Sequence, residues 1–271
     1  MPGLRWLTIV AFLAVAPAVA QTDAPQLGQI SKDSVWVPTP ERMIRRLLQM
    51  ADVTKDDVVV DLGSGDGRIP IYAARHFGAK AIGVELEGNL IKLSRDTAAT
   101  EGVSGLASFV QQDLYEFDLS VATVVALYIS PGVMAKLKPR LLALKPGTRV
   151  VSHFFTLGDW EPDETVQVEG RTGYLWVVPA SVGGNWTLRT GDDTLRVRID
   201  QKGKVLAARG DRTGRAVSVI GAQLRGTEIR FTAFDRDGNA RHYQGRIDAG
   251  HMSGRSEGMG VAPMSWTAVR D

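Results

Sequence analysis

The chain contains no cysteine. That excludes disulfides, thiolate metal sites and a cysteine nucleophile, and it fits either an oxidising or a reducing compartment. Histidine is scarce, with four in 271 residues, and no His/Asp/Glu spacing suggests a metal site. A net charge of +2 is too small to argue for nucleic acid on charge alone. No long internal repeat or low-complexity tract is present. What remains is an ordinary globular composition, 44% hydrophobic and 23% charged, long enough for one α/β domain and something smaller.

The near-neutral total hides an asymmetry. From Ala180 onward there are 15 basic against 10 acidic residues, and before it 17 against 20. A basic small domain therefore follows an acidic larger one. A solvated, Arg-rich sheet face explains this without a dedicated anionic partner.

At the N-terminus Arg5 precedes an apolar run from Trp6 to Ala16, then Pro17-Ala18-Val19-Ala20. The small residues at 18 and 20 suit a signal-peptidase site, so residues 1–20 are expected to be an export signal cut before Gln21. The run is short against the about 20 apolar residues a membrane span needs. An uncleaved inner-membrane anchor is the alternative. The mature protein is thus expected to be periplasmic, contacting membrane only through such an anchor.

Residues 21–34 read as a polar linker. Val35-Trp36-Val37-Pro38-Thr39-Pro40 cannot be helical with its two prolines, and Met43, Ile44, Leu47 and Leu48 then mark a helix over 41–50. Val58 to Leu62 is an apolar strand ending in a glycine-rich turn. Further strands are expected at 81–85, 107–111, 123–128 and 149–153, separated by helices near Ile69–Ala73, 89–100 and 133–144. This alternation predicts a Rossmann-like α/β domain over 35–179 with a doubly wound, mostly parallel sheet. Beyond Pro179 the period changes to two. Leu195, Val197 and Ile199 alternate with Arg196 and Arg198, and Ile229, Phe231 and Ala233 with Arg230 and Thr232. Turn signals lie between them, so 180–271 is expected to be an antiparallel β domain of six or seven strands.

The chemistry is concentrated in Asp61-Leu62-Gly63-Ser64-Gly65-Asp66-Gly67-Arg68. Glycines permit a tight turn and close backbone approach to a ligand, and the next helix aims its N-terminal amides at the same place. A dinucleotide fingerprint needs glycine where Arg68 stands, so no pyrophosphate is expected. Asp61 and Asp66 would repel phosphate but suit a cationic amine. Glu85, ending the next strand, is placed for two ribose hydroxyls, and Asp113, closing the third, for the exocyclic amine of adenine. An amine, a ribose and an adenine without pyrophosphate describe S-adenosylmethionine, which is the expected cofactor.

On these residues, with Gly83-Val84-Glu85-Leu86 and Asp113-Leu114, the chain resembles class I methyltransferases. It is similar, further, to the lysine methyltransferases related to the one acting on the mitochondrial adenine nucleotide translocase, and more distantly to the histone lysine methyltransferases that lack a SET domain. The segments carrying that likeness are Val37–Pro40, Leu127-Tyr128-Ile129-Ser130-Pro131, Arg149–Ser152 with Phe155, and Trp160-Glu161-Pro162. The resemblance implies that Thr39 lies over the cofactor's methionine end and that Tyr128, the expected catalytic residue, sits at the methyl-transfer channel. With Asp61, Gly63, Ser64, Gly65, Glu85 and Asp113, these form the expected site.

The fourth strand lacks the Asn/Asp-Pro-Pro-Tyr segment of many amide and adenine methyltransferases, which argues against nucleic acid as substrate. His153 is read as a structural, hydrogen-bonded residue. The resemblance implies transfer to a nitrogen, expected to be a protein lysine. Methylation of a small molecule or lipid, or a non-catalytic cofactor-binding module, are the alternatives.

Overall fold

The computed structural model describes residues 25–28, 35–234, 238–258 and 260–271. The expected export signal, and most of the expected linker, lie outside them. Among the described residues no helix is long and apolar enough to cross a membrane.

Helix α1 (Glu41–Met50) begins directly after Pro40 and turns Met43, Ile44, Leu47 and Leu48 inward. Then β1 (Val58–Leu62), α2 (Arg68–Phe77), β2 (Lys80–Glu85), α3 (Gly88–Thr100), β3 (Ala107–Gln111), β4 (Val124–Leu127), α4 (Pro131–Leu142) and β5 (Arg149–His153) alternate in the expected order. The continuous apolar runs of β1, β4 and β5 make sense because both faces of the sheet are covered. Helices α1 and α2 pack on one face through Leu47, Leu48, Ile69 and Val59. Helix α4 covers the other with Met134, Leu137 and Leu141 against Val60, Leu127 and Trp176.

The strand order is β3-β2-β1-β4-β5-β7-β6. Strands β3, β2, β1, β4 and β5 are parallel. A terminal hairpin, β6 (Glu164–Val168) and β7 (Arg171–Val177), inserts β7 antiparallel beside β5. That hairpin escaped the sequence reading because β6 is an edge strand with little buried surface. The order reverses between β1 and β4, and such a switch point opens a crevice at the carboxyl ends of the strands.

After β7 the chain enters nine antiparallel strands, β8 (Gly184–Thr190), β9 (Asp193–Lys202), β10 (Val205–Arg212), β11 (Arg215–Val217), β12 (Val219–Arg225), β13 (Glu228–Phe234), β14 (Ala240–Asp248), β15 (His251–Gly258) and β16 (Val261–Arg270). They exceed the expected six or seven and do not form an open meander. Strand β8 pairs with β16 and β9 with β10, so the sheet closes on itself as a barrel. Closure removes the edges that an open sheet exposes. Its interior holds Trp186, Leu195, Val197, Ile199, Ile229, Phe231 and Trp266, and the arginines between them point outward. One end abuts the larger sheet, where Ala180 N–H donates to Gly226 O at 2.8 Å and Lys204 Nζ to Asp163 at 3.1 Å.

Candidate active site

At the crevice the backbone makes a cradle. Gly63, Gly65 and Gly67 have φ of +76°, +54° and +76°, a region that side chains with a Cβ avoid. The amides of Gly63 and Ser64 donate to Val84 O at 2.8 and 3.0 Å. Gly65 N–H instead donates to Glu85 Oε2 at 2.9 Å. The other carboxylate oxygen of Glu85 accepts from Leu86 N–H at 2.8 Å and Glu87 N–H at 3.1 Å. The acid at the end of β2 therefore shapes the glycine turn as well as facing the cleft. Ser94 Oγ, on α3, donates to Gly65 O at 3.0 Å and fixes the turn from behind.

Asp61 is buried beside the cradle. Burial, followed by the neighbouring carboxylates of Glu85 and Asp66, holds its pKa well above the ordinary range. A cation placed in the cleft would stabilise the carboxylate against both causes and favour ionised Asp61. Asp66 behaves differently from the expectation that it shares in holding an amine. Arg68 grips it with Nη2 to Oδ2 at 2.5 Å and Nε to Oδ1 at 2.9 Å.

Thr39, Asp61, Gly63, Ser64, Gly65, Glu85, Asp113 and Tyr128 all line one cleft. Asp113 sits at the turn after β3, its Oδ1 accepting from Tyr115 N–H at 2.9 Å. Ser64 Oγ is buried, has no partner among the described residues, and lies where a Cβ on Gly83 would come within 2.7 Å. Tyr128, half-buried after β4, faces His153 at 4.1 Å and Phe155 at 6.3 Å between ring centroids.

Two contributors, Trp36 and Arg68, were missed by the sequence reading, while His153 is the hydrogen-bonded structural residue that reading expected. The Trp36 ring lies so close to Gly65 that an added Cβ would meet it at 2.6 Å. Arg68 Nη1 donates to Thr39 O at 3.1 Å, tying the 35–40 strap to the cradle. His153 is only 1% exposed, shares a hydrogen bond of 3.3 Å between Nδ1 and Thr39 Oγ1, and leaves Nε2 without a partner among the described residues. For Trp36 the available signal was an aromatic beside a Pro pair. Phe154, next in sequence, adopts φ +73° and is 52% exposed. Such a conformation is costly for a bulky residue and concentrates at functional sites.

Burial, with Arg171 adding to it, lowers the His153 pKa from 6.5 to about 4. The unfolded chain takes up a proton between those pH values that the fold refuses. This stability is therefore fully present above pH 6.5 and is lost as pH falls toward 4, about 3 kcal/mol in all. Urea unfolding of wild type and His153→Gln at pH 7 and pH 4 measures it. The wild type is expected to lose that much more than the variant, and equal losses would contradict the assignment.

Among the described residues, no group of three or more His, Asp or Glu is placed to hold a metal ion. The residues present do fit S-adenosylmethionine: a backbone cradle that a Cβ would fill, a buried carboxyl poised for a cation, and acids at the ends of β2 and β3.

Comparison with known proteins agrees. The family described as the ANTKMT methyltransferase domain matches residues 61–164. A protein-lysine N-methyltransferase of Saccharolobus islandicus is 46% identical over 149 residues, covering 53% of this chain and 92% of that protein. The adenine nucleotide translocase lysine N-methyltransferase of Mus musculus is 40% identical over 121 residues, 44% of this chain and 51% of that one. A crystal structure of an RNA methyltransferase from Salinibacter ruber, bound to S-adenosyl-L-homocysteine, shares 51% identity. It covers 54% of this chain and 96% of its own, with a TM-score of 0.53. The sheet order, the glycine cradle and these likenesses converge: the chain belongs to the S-adenosylmethionine-dependent methyltransferases that carry the ANTKMT methyltransferase domain.

Proposed function

We propose that the enzyme transfers the methyl group to the ε-amine of a lysine in a protein. The observation that carries this is the aromatic corner at the ends of β4 and β5, where Tyr128 lines the same cleft as the glycine cradle and is backed by His153 and Phe155. The cofactor supplies an already activated methyl on a sulfonium, so the protein's task is alignment and exclusion of water. In this reading Asp61 holds the amine of the cofactor, Glu85 its ribose and Asp113 its adenine. Gly63, Ser64 and Gly65 admit it closely, and Thr39 closes over its methionine end. Tyr128 and Phe155 form a slender apolar passage. A lysine entering it is desolvated, which favours the neutral amine that attacks, while the ring faces accommodate positive charge. His153, uncharged at neutral pH, adds no repulsion to an incoming cation.

The lysine methyltransferases among its relatives support this acceptor, and the absent Asn/Asp-Pro-Pro-Tyr segment supports it against a planar nucleobase nitrogen. The likeness to the RNA methyltransferase of Salinibacter ruber makes RNA the alternative to be tested. Purified enzyme with isotopically labelled cofactor would be offered pools of protein, RNA, small metabolites and lipid. Label on methylated lysine is the expected result. Label confined to RNA, metabolites or lipid would overturn the proposal.

A further inference from the structure

The last turn of α4 carries Arg140, and its guanidinium is spent on backbone carbonyls. Its Nη1 donates to Leu114 O at 3.1 Å and to Tyr115 O at 2.5 Å, and its Nη2 donates to Phe117 O at 2.5 Å. All three carbonyls belong to the loop that leaves β3.

That loop begins with Asp113 and Leu114, both of which line the cleft. The chain turns sharply there. Glu116 N–H donates to Asp113 O at 2.9 Å, and Tyr115 N–H donates to Asp113 Oδ1 at 2.9 Å. Tyr115 is thus held from both sides: its amide fixes the Asp113 carboxylate, and Arg140 fixes its carbonyl. The side chains of Leu114, Tyr115 and Phe117 pack against a core to which α4 contributes Val133, Met134, Leu137 and Leu141. Lys136 Nζ, also on α4, lies 5.6 Å from the centre of the Tyr115 ring.

Three carbonyls gathered at one place repel one another, and each needs a donor. A planar cation with several N–H groups in fixed directions satisfies them together, whereas a lysine ammonium concentrates its donors at one point. Arg140 itself does not line the cleft, but Val133 of the same helix does. One helix therefore runs from the Tyr128 edge of the cleft to the support of its Asp113 edge.

We propose that Arg140 is a positioning residue for the adenine side of the S-adenosylmethionine site. By holding the carbonyls of Leu114, Tyr115 and Phe117, it sets the direction of the Asp113 carboxylate toward the exocyclic amine. This rests on the reading in which Asp113 holds the adenine. Its consequence is selective, because loosening the loop costs affinity only to a ligand that uses the bond to Asp113. S-adenosylhomocysteine has that amine. S-inosylhomocysteine carries an oxygen in its place, which a carboxylate repels.

Calorimetric titration of the full chain with these two ligands is the test. Wild type is expected to prefer the adenosyl ligand by at least about tenfold, the worth of one charge-assisted hydrogen bond. Arg140→Lys should weaken the adenosyl ligand about tenfold and the inosyl ligand less than about threefold, so that the preference collapses. Lysine keeps the charge, the aliphatic stem and the helix propensity, and retained binding of the inosyl ligand reports a folded variant. Arg140→Gln, which removes the charge, should show the same selective loss. Equal weakening of both ligands would mean a general loosening of the fold and would overturn the proposal, as would an unchanged preference in both variants. Asp113→Asn separates the underlying reading. With its Oδ1 held by Tyr115 N–H, the new amide NH2 would meet the amine and welcome the inosyl oxygen, so the preference should vanish or invert. If Asp113→Asn keeps the wild-type preference, Asp113 does not hold the adenine and the proposal falls with that reading. If Asp113→Asn loses it and the Arg140 variants do not, the proposal falls alone.

Discussion

Gly65→Val is expected to raise the dissociation constant for S-adenosylmethionine by at least about a hundredfold. Two independent costs combine. At φ +54° a residue with a Cβ loses roughly 1–2 kcal/mol, and more when β-branched. The new Cβ would also lie 2.6 Å from the Trp36 ring, so the strap, tied through Arg68 to the cradle, must move. About 3 kcal/mol in total corresponds to that factor. Calorimetric titration measures it, with thermal unfolding to show that the variant is folded. Trp36→Ala in the same chain should recover part of the loss, because it removes the clash but not the backbone strain. Unchanged affinity in Gly65→Val would show that the cofactor does not lie against this turn.

Glu85→Ala is expected to weaken cofactor binding by about a hundredfold or more, for a reason the strand-end position alone does not reveal. Its carboxylate accepts three backbone amides, from Gly65, Leu86 and Glu87. Removing it leaves the buried Gly65 donor unsatisfied at about 1–3 kcal/mol and frees the part-buried Leu86 and Glu87 amides, in addition to the charge-assisted bonds proposed to the ribose. Glu85→Gln keeps the shape and one carbonyl acceptor, so it should lie between wild type and alanine. Titration of the three proteins gives the series. If alanine and glutamine bind as wild type does, Glu85 neither shapes the cradle nor holds the ligand.

Much of the fold is legible in the sequence because its signals are local. The apolar run Val58–Leu62 needs only a sheet buried on both faces, and the 41–50 helix only its 3.6-residue period. The glycines at 63, 65 and 67 encode a turn, and the acids at 61, 85 and 113 stand at strand ends, so a parallel sheet of any register brings them to one edge. That is why the cleft and the family are readable from the chain alone. The Glu164–Val168 strand is not, since an edge strand with little buried surface lacks the alternation that announces one.

Other features belong to the tertiary structure. That Trp36 lies on Gly65, that Arg68 reaches back to Thr39 O, and that His153 is sealed against Tyr128 and Thr39 all depend on segments separated by tens of residues. The same holds for the barrel. Alternation in each strand separates inside from outside, but which inward residues share a layer is set by the register around the closed ring of strands. Thr190, Arg212 and Tyr243 meet only because β8, β10 and β14 close into one ring. A residue's face is written in its own strand. Its neighbours across the barrel are decided by closure, because hydrogen-bond register is a property of the whole ring and not of any segment.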